Sequence, residues 1–180
     1  MKEVSPIKDK QVVRDIIEYL RETSERNALL FEIGIYCGLR VSDIIKLRVR
    51  DVKDKDKIYI TEQKTGKENG IEINPALKRE LKRYVQDKQS YEFLFASTRS
   101  NKPISRQQAY NIINDAGKHF GLERIGTHTM RKTFGYHLYQ ATKDITLIQK
   151  LLNHAKPEIT LTYIGMTQER KDEAVRSLRY

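Results

Sequence analysis

The chain has 180 residues, 38% of them apolar, and carries 34 Lys and Arg against 24 Asp and Glu, a formal net charge of +10. That length suits one domain burying roughly 70% of its unfolded surface, and with Cys37 as the single cysteine no intrachain disulfide can form. One cysteine and four histidines argue against structural zinc, the charged opening MKEVSPIKDK against a secretory signal, and no apolar run approaches the roughly 18 residues of a membrane span; an intracellular, cytoplasmic protein with a polyanionic partner, nucleic acid first, is expected.

Asp9 can cap a helix over about 10–22, where Val12, Val13, Ile16, Ile17 and Leu20 recur at helical spacing. Leu29, Leu30, Ile33 and Tyr36 repeat the pattern over 25–37, and Gly38 supplies the stop. RVSDIIKLRVRDV predicts a short helix from about 42 to 47. The period then changes. KIYIT and GIEIN are short, β-branched and alternating, and the charged turn EQKTGKEN lies between them, which predicts a hairpin or three-stranded meander over about 51–74.

Pro75 opens a helix reaching about residue 88, and EFLFA reads as a short strand or buried extended piece. Ser105 and Gln108 have the spacing of a capping box for a helix running to Phe120 and stopped by Gly121. HTMRKTFGYHLYQAT is helical, and DITLIQKLLNH is helical behind a capping Asp144. Pro157 starts a helical stretch through Tyr163, and Thr167 can cap a last amphipathic helix at about 168–178. The expected fold class is therefore α+β, mostly α-helical, with one small antiparallel sheet near 51–74, in a single domain over 1–180.

Several residues carry chemistry in this pattern. Arg40, in CGLRVSD between two helix ends, has the planar fork that suits phosphate oxygens, with Asp43 three residues on to hold it; a surface Arg–Asp pair is the plainer alternative. Lys64, at the tip of the predicted hairpin, can act as a point charge or proton donor, and Lys67 is a rival in the same loop. His128 and Arg131 stand at i and i+3 near a helix start, where free N–H groups and the dipole add positive potential for an anion. His154 follows the apolar run ITLIQKLL and fits either a helix C-cap or a ligand contact; His119 and His137 read as structural. Tyr163, among ten tyrosines that include Tyr136, Tyr139 and Tyr180, needs neighbouring cations or a base to ionise from its usual pKa of about 10. Together the set has the logic of metal-independent phosphodiester cleavage. Arginines offset charge on the non-bridging oxygens, a lysine protonates the departing oxygen, and a tyrosine stores the bond as a covalent ester.

CGLRVSD, EQKTGK, HTMRKTF and LLNHAKPEITLTYI, in this order and approximate spacing, resemble the catalytic domain of the tyrosine recombinase (phage integrase) family over about residues 5–175. The resemblance implies a site-specific DNA recombinase that acts through a 3′-phosphotyrosine intermediate without metal, ATP or another cofactor. By that resemblance Arg40 and Arg131 clamp the scissile phosphate, with Asp43 supporting Arg40. Lys64 is the general acid towards the leaving 5′-hydroxyl, and His128 assists proton transfer from the nucleophile. His154 contacts a phosphate oxygen and Tyr163 is the nucleophile. The family usually has glycine where Asn153 stands, and asparagine also tolerates a left-handed backbone. Nothing before residue 5 can supply the family's N-terminal core-binding domain, so an excised catalytic domain or a natural single-domain member is expected. The implied partner is double-stranded DNA, bound as a homo-tetramer, with a monomer allowed without DNA. The last helix resembles the segment that packs on a neighbouring subunit. A type IB topoisomerase-like strand relaxer, or a regulator that keeps the fold but no longer cuts, are the alternatives.

Overall fold

The computed structural model describes residues 4–61, 68–165 and 175–179. Asp9 caps α1 (Lys10–Thr23) by accepting from the Gln11 N–H at 2.7 Å, and Ser24 alone separates it from α2 (Glu25–Cys37). On α1 only one stripe is buried, whereas α2 is buried almost all round, with Leu29, Leu30, Phe31 and Ile33 at its centre. Such a helix belongs in the middle of a core, and α2 packs against α1 and against four later helices: α3 (Val41–Ile44), α4 (Pro75–Tyr84), α5 (Arg106–His119) and α6 (Thr127–Thr142).

The short α3 ends at Ile44 and continues as a turn, three residues short of the expected end. Asp51, where the expected sheet begins, instead closes a 3-10 turn (Val49–Asp51), its carboxylate folding back to accept from the Arg48 N–H at 2.8 Å. Among the described residues the sheet is two-stranded: β1 (Lys57–Thr61) pairs antiparallel with β2 (Glu68–Glu72), Ile58 opposite Ile71, both facing the core. This is the hairpin form of the expectation, not the three-stranded one.

Asn74 caps α4, which ends at Tyr84 rather than near 88, the backbone at Val85 departing from the helix (φ −96°, ψ 2°), and the Tyr84 hydroxyl donates to the Leu94 carbonyl at 3.1 Å. The EFLFA segment is buried but is neither a strand nor extended throughout: Phe93 and Ala96 make isolated bridges to Arg48 and Pro103, and between them Leu94 and Phe95 form a fully buried turn whose backbone bonds to Leu47 and Ile104. The Ser105 hydroxyl caps α5, accepting from the Gln108 N–H at 3.1 Å, and Gly121 takes up a left-handed conformation (φ 70°) just beyond its end. Asp144 caps α7 (Ile145–Leu151) through the N–H groups of Thr146 and Leu147. The helix stops at Leu151 instead of His154, since Asn153 is left-handed (φ 47°). Pro157 opens α8 (Pro157–Tyr163) as expected. The last helix expected, from Thr167, falls mostly outside the described residues. No helix among the described residues is long and apolar enough to cross a membrane.

Two glycines decide how closely the parts carrying chemistry approach α6. Gly38 ends α2 in a left-handed turn (φ 62°), and a Cβ there would lie 2.3 Å from the Phe134 ring. Gly135 lies where a Cβ would come within 2.8 Å of Ile164 and 3.2 Å of Leu152, so its absence lets the ends of α7 and α8 settle on α6.

Candidate active site

Arg131 organises the site from inside the protein. It is 6% exposed, and its guanidinium donates through Nη1 to the Gly38 carbonyl and through Nη2 to the Leu152 carbonyl. Those carbonyls end α2 and α7, groups a helix leaves without intrahelical partners. Arg40 follows Gly38 by two residues and His154 follows Leu152 by two, so one side chain ties together the two turns that carry them. A guanidinium has five N–H donors, and those not spent on the two carbonyls remain for a ligand.

Arg40 sits at the mouth of α3. Its carbonyl accepts from the Asp43 and Ile44 N–H groups at 2.9 and 3.0 Å, while its side chain is exposed. Among the described residues no ion pair joins it to Asp43, contrary to expectation. Asp43 is half-buried one turn into α3, where its carboxylate accepts from the Ser42 hydroxyl at 3.4 Å and its charge favours the cationic form of Arg131. Arg40 is left pointing outward, into a cleft of about 440 Å³ that it shares with Ser42, Thr127, His128 and Arg131.

His128 is in the first turn of α6, behind Gly126, whose N–H donates to the Thr129 hydroxyl at 3.1 Å. Partial desolvation at the rim of the cleft lowers its pKa, and the charges of Arg131, Lys132 and Arg40 lower it further, so the imidazole is neutral and able to accept a proton near pH 7. His154, on the turn that Asn153 makes, engages the buried Thr160 hydroxyl through Nδ1 at 3.0 Å, which leaves Nε2 for a ligand. Desolvation and the two arginines lower its pKa as well.

Tyr163 ends α8. Its ring meets the His154 ring edge-on, centroids 4.9 Å apart at 77°, and the Lys132 ammonium lies 5.1 Å from its ring centroid. The Tyr163 Oη is buried and makes no well-formed hydrogen bond. Burial pushes the phenol pKa up, while the neighbouring Arg131 guanidinium and the charge of Arg40 pull against it. The two Nη donors of Arg131 with well-formed bonds are aimed at carbonyls, so Arg131 acts on the phenol mainly as a nearby charge.

Five of the six expected residues thus gather around Arg131: Arg40 and His128 share its cleft, its bond to the Leu152 carbonyl holds the turn that carries His154, and the His154 ring meets Tyr163. Lys64, the sixth, and its rival Lys67 lie outside the described residues. His119 stacks on Tyr19 at 4.3 Å and His137 holds the Ile7 carbonyl at 3.0 Å, both structural as expected. Sequence reasoning missed Lys132, Thr160 and the α5 residues Arg106, Gln107 and Tyr110 that complete the cleft wall. Lys132 had a signal, standing four residues after His128 and thus on a neighbouring face of one helix; Thr160 and the α5 residues had none. Among the described residues, no three His, Cys, Asp or Glu side chains gather where they could share a metal ion.

Residues 8–170 match the Phage integrase family. The chain belongs to that family. It is 48% identical over 166 residues to the probable integrase/recombinase YoeC of Bacillus subtilis, covering 92% of each chain. It is 28% identical to the tyrosine recombinase XerA of Pyrococcus furiosus over 91% of its own length, but spans only 58% of that protein. Among solved structures, the fold matches a XerA recombinase (TM-score 0.78, 22% identity, 98% of this chain, 67% of that one). It also matches the XerH site-specific recombinase bound to a palindromic difH substrate in a post-cleavage complex (TM-score 0.74, 21% identity, 98% of this chain, 54% of that one). The mostly helical fold with a small antiparallel sheet is that of tyrosine recombinase catalytic domains, and the family is one of site-specific recombinases. The topoisomerase-like and non-cutting readings are not favoured by these matches.

Proposed function

We propose that this member of the phage integrase family cuts and rejoins double-stranded DNA with Tyr163 as its nucleophile. In the forward step an electron pair of the Tyr163 Oη forms the bond to phosphorus while the phenolic proton passes to His128. The bond from phosphorus to the 5′-oxygen breaks, and that oxygen leaves as a hydroxyl after taking a proton, the role proposed for Lys64. The product is a 3′-phosphotyrosine. Attack by a 5′-hydroxyl of a partner strand reverses the step and restores a phosphodiester. Arg40, Arg131 and His154 Nε2 would hold the non-bridging oxygens as charge builds there, which is where fixed donors in a desolvated site have most effect. The same chemistry on paired sites would use a homo-tetramer assembled on DNA.

The single observation that supports this reading is that Arg131, which shares one cleft with Arg40 and His128, also stands beside a buried Tyr163 hydroxyl that makes no well-formed hydrogen bond and whose ring meets His154. Dedicated site residues from four separate segments would have no reason to meet there in a protein that only binds DNA. The test uses a pool of nicked suicide duplexes with a randomised central segment, incubated with the protein and run on a denaturing gel. Wild-type protein should capture a subset covalently, and peptide mapping should find the label on Tyr163. Tyr163→Phe should capture none; capture by that variant would sink the assignment. Sedimentation with the captured duplex reads the assembly state.

A further inference from the structure

Lys132 is a buried cation of the site that the chemistry above does not use. It is 5% exposed, an uncommon environment for a lysine, and lies one residue after Arg131 in the buried stripe of α6. Its ammonium lies 5.1 Å from the centroid of the Tyr163 ring. Its charge is also felt by His128, one helical turn earlier. Lys132 therefore stands beside both ends of the proton transfer from phenol to imidazole.

We propose that Lys132 is a positioning residue for the nucleophile, holding the Tyr163 ring by its π face and favouring movement of the phenolic proton to a neutral His128. The proposal rests on the reading of Tyr163 as nucleophile. A cation over an aromatic face is attracted to the ring, more strongly where water is excluded. As the phenol loses its proton, negative charge spreads into the ring and that attraction grows, so it strengthens towards the transition state rather than equally throughout. The same positive charge opposes protonation of His128, keeping the acceptor available at lower pH. Other groups face the same pair. Arg40 and Arg131 act on both His128 and Tyr163, His154 meets the Tyr163 ring, Arg106 and Tyr110 line the His128 cleft, and Asp43 acts on Arg131. All of these remain when Lys132 is changed, so a change of Lys132 alone reports its own share.

The test compares Lys132→Met, which keeps length without charge, with Lys132→Arg, which keeps the cation. The first readout is the NMR titration of the His128 ring, assigned through His128→Asn. It needs no DNA. Lys132→Met should move the His128 titration to higher pH, and Lys132→Arg should return it towards wild type. The second readout is the pH profile of single-turnover capture on a duplex selected by the wild-type protein. Lys132→Met should shift its rising limb to higher pH and slow capture at neutral pH roughly tenfold or more, the scale of a desolvated cation–π contact. Lys132→Arg should recover most of that loss. A folded Lys132→Met with an unmoved His128 titration and an unmoved profile overturns the proposal, as does Lys132→Arg behaving no better than Lys132→Met. Lys132→Gln replaces the methionine variant if the latter does not fold. If Tyr163→Phe still captures DNA, the nucleophile assignment fails, and the His128 titration judges the charge effect of Lys132 separately.

Discussion

Arg131 and Tyr163 lie beside one another and are built in opposite ways. Arg131 and its α6 neighbours are tied down: its guanidinium spans two helix-end carbonyls, the Thr129 hydroxyl accepts from Gly126, and the Thr133 hydroxyl accepts from Ile7 at 2.9 Å. Tyr163 is held by ring packing against His154 and Lys132, and its Oη is buried without a well-formed bond. A buried polar group left in that state costs about 1–3 kcal/mol. Arg131 is thus fixed before a ligand arrives, and the reacting oxygen is the part whose hydrogen-bonding capacity is not spent on a well-formed bond.

The largest expected effect is at Tyr163. Tyr163→Phe should abolish covalent capture and yet leave the protein as stable as wild type or more so, by up to about 1 kcal/mol, because it deletes a hydroxyl that has no well-formed bond. Urea denaturation beside the capture gel reads both; clear destabilisation would mean that the phenol is bonded after all. The two arginines should then part company. Arg131→Ala should cost about 2–5 kcal/mol in the same denaturation, since it orphans the Gly38 and Leu152 carbonyls. Arg40→Ala should stay within about 0.5 kcal/mol of wild type, as an exposed side chain does, while slowing capture on the order of a hundredfold or more. Equal stability losses for the two would erase the contrast between a pinned and a free guanidinium.

Gly135→Ala tests whether close packing holds the phenol. Its Cβ would press on Ile164 and Leu152, and overpacking should cost about 1–3 kcal/mol and slow capture with little loss of DNA affinity. The smallest effect concerns pH. The folded-state pKa values of His128, His137 and His154 are lowered from the usual value near 6.5, so the unfolded chain binds protons more readily than the native one. Stability is therefore full above that value and falls as pH drops below it towards the lowered native values. Denaturation at pH 7.5 and 5.5 should show the loss, and His128→Asn with His154→Gln should reduce it; a double variant as acid-sensitive as wild type would assign the loss elsewhere.

Much of this was legible in the chain. Periodicity and caps located the helices because each signal is local: Asp9, Ser105 and Asp144 bond to N–H groups two or three residues away. Element ends were less legible at Ile44, Tyr84 and Leu151, where a turn, a non-helical backbone or a left-handed residue interrupts a pattern that would otherwise continue. Asn153 in place of glycine did keep the left-handed turn before His154. The types and order of Arg40, His128, Arg131, His154 and Tyr163 were readable because residue chemistry does not depend on the fold.

Their division of labour was not readable, because it is set by contacts between segments far apart in the chain. Arg131 is pinned by carbonyls 93 and 21 residues away, and Asp43 acts on Arg131 rather than pairing with Arg40. Spacing along a chain says nothing of burial or of which polar atom finds a partner. Both depend on the packing of α6, α7 and α8, and that packing leaves the Tyr163 hydroxyl buried beside Arg131 without a well-formed bond.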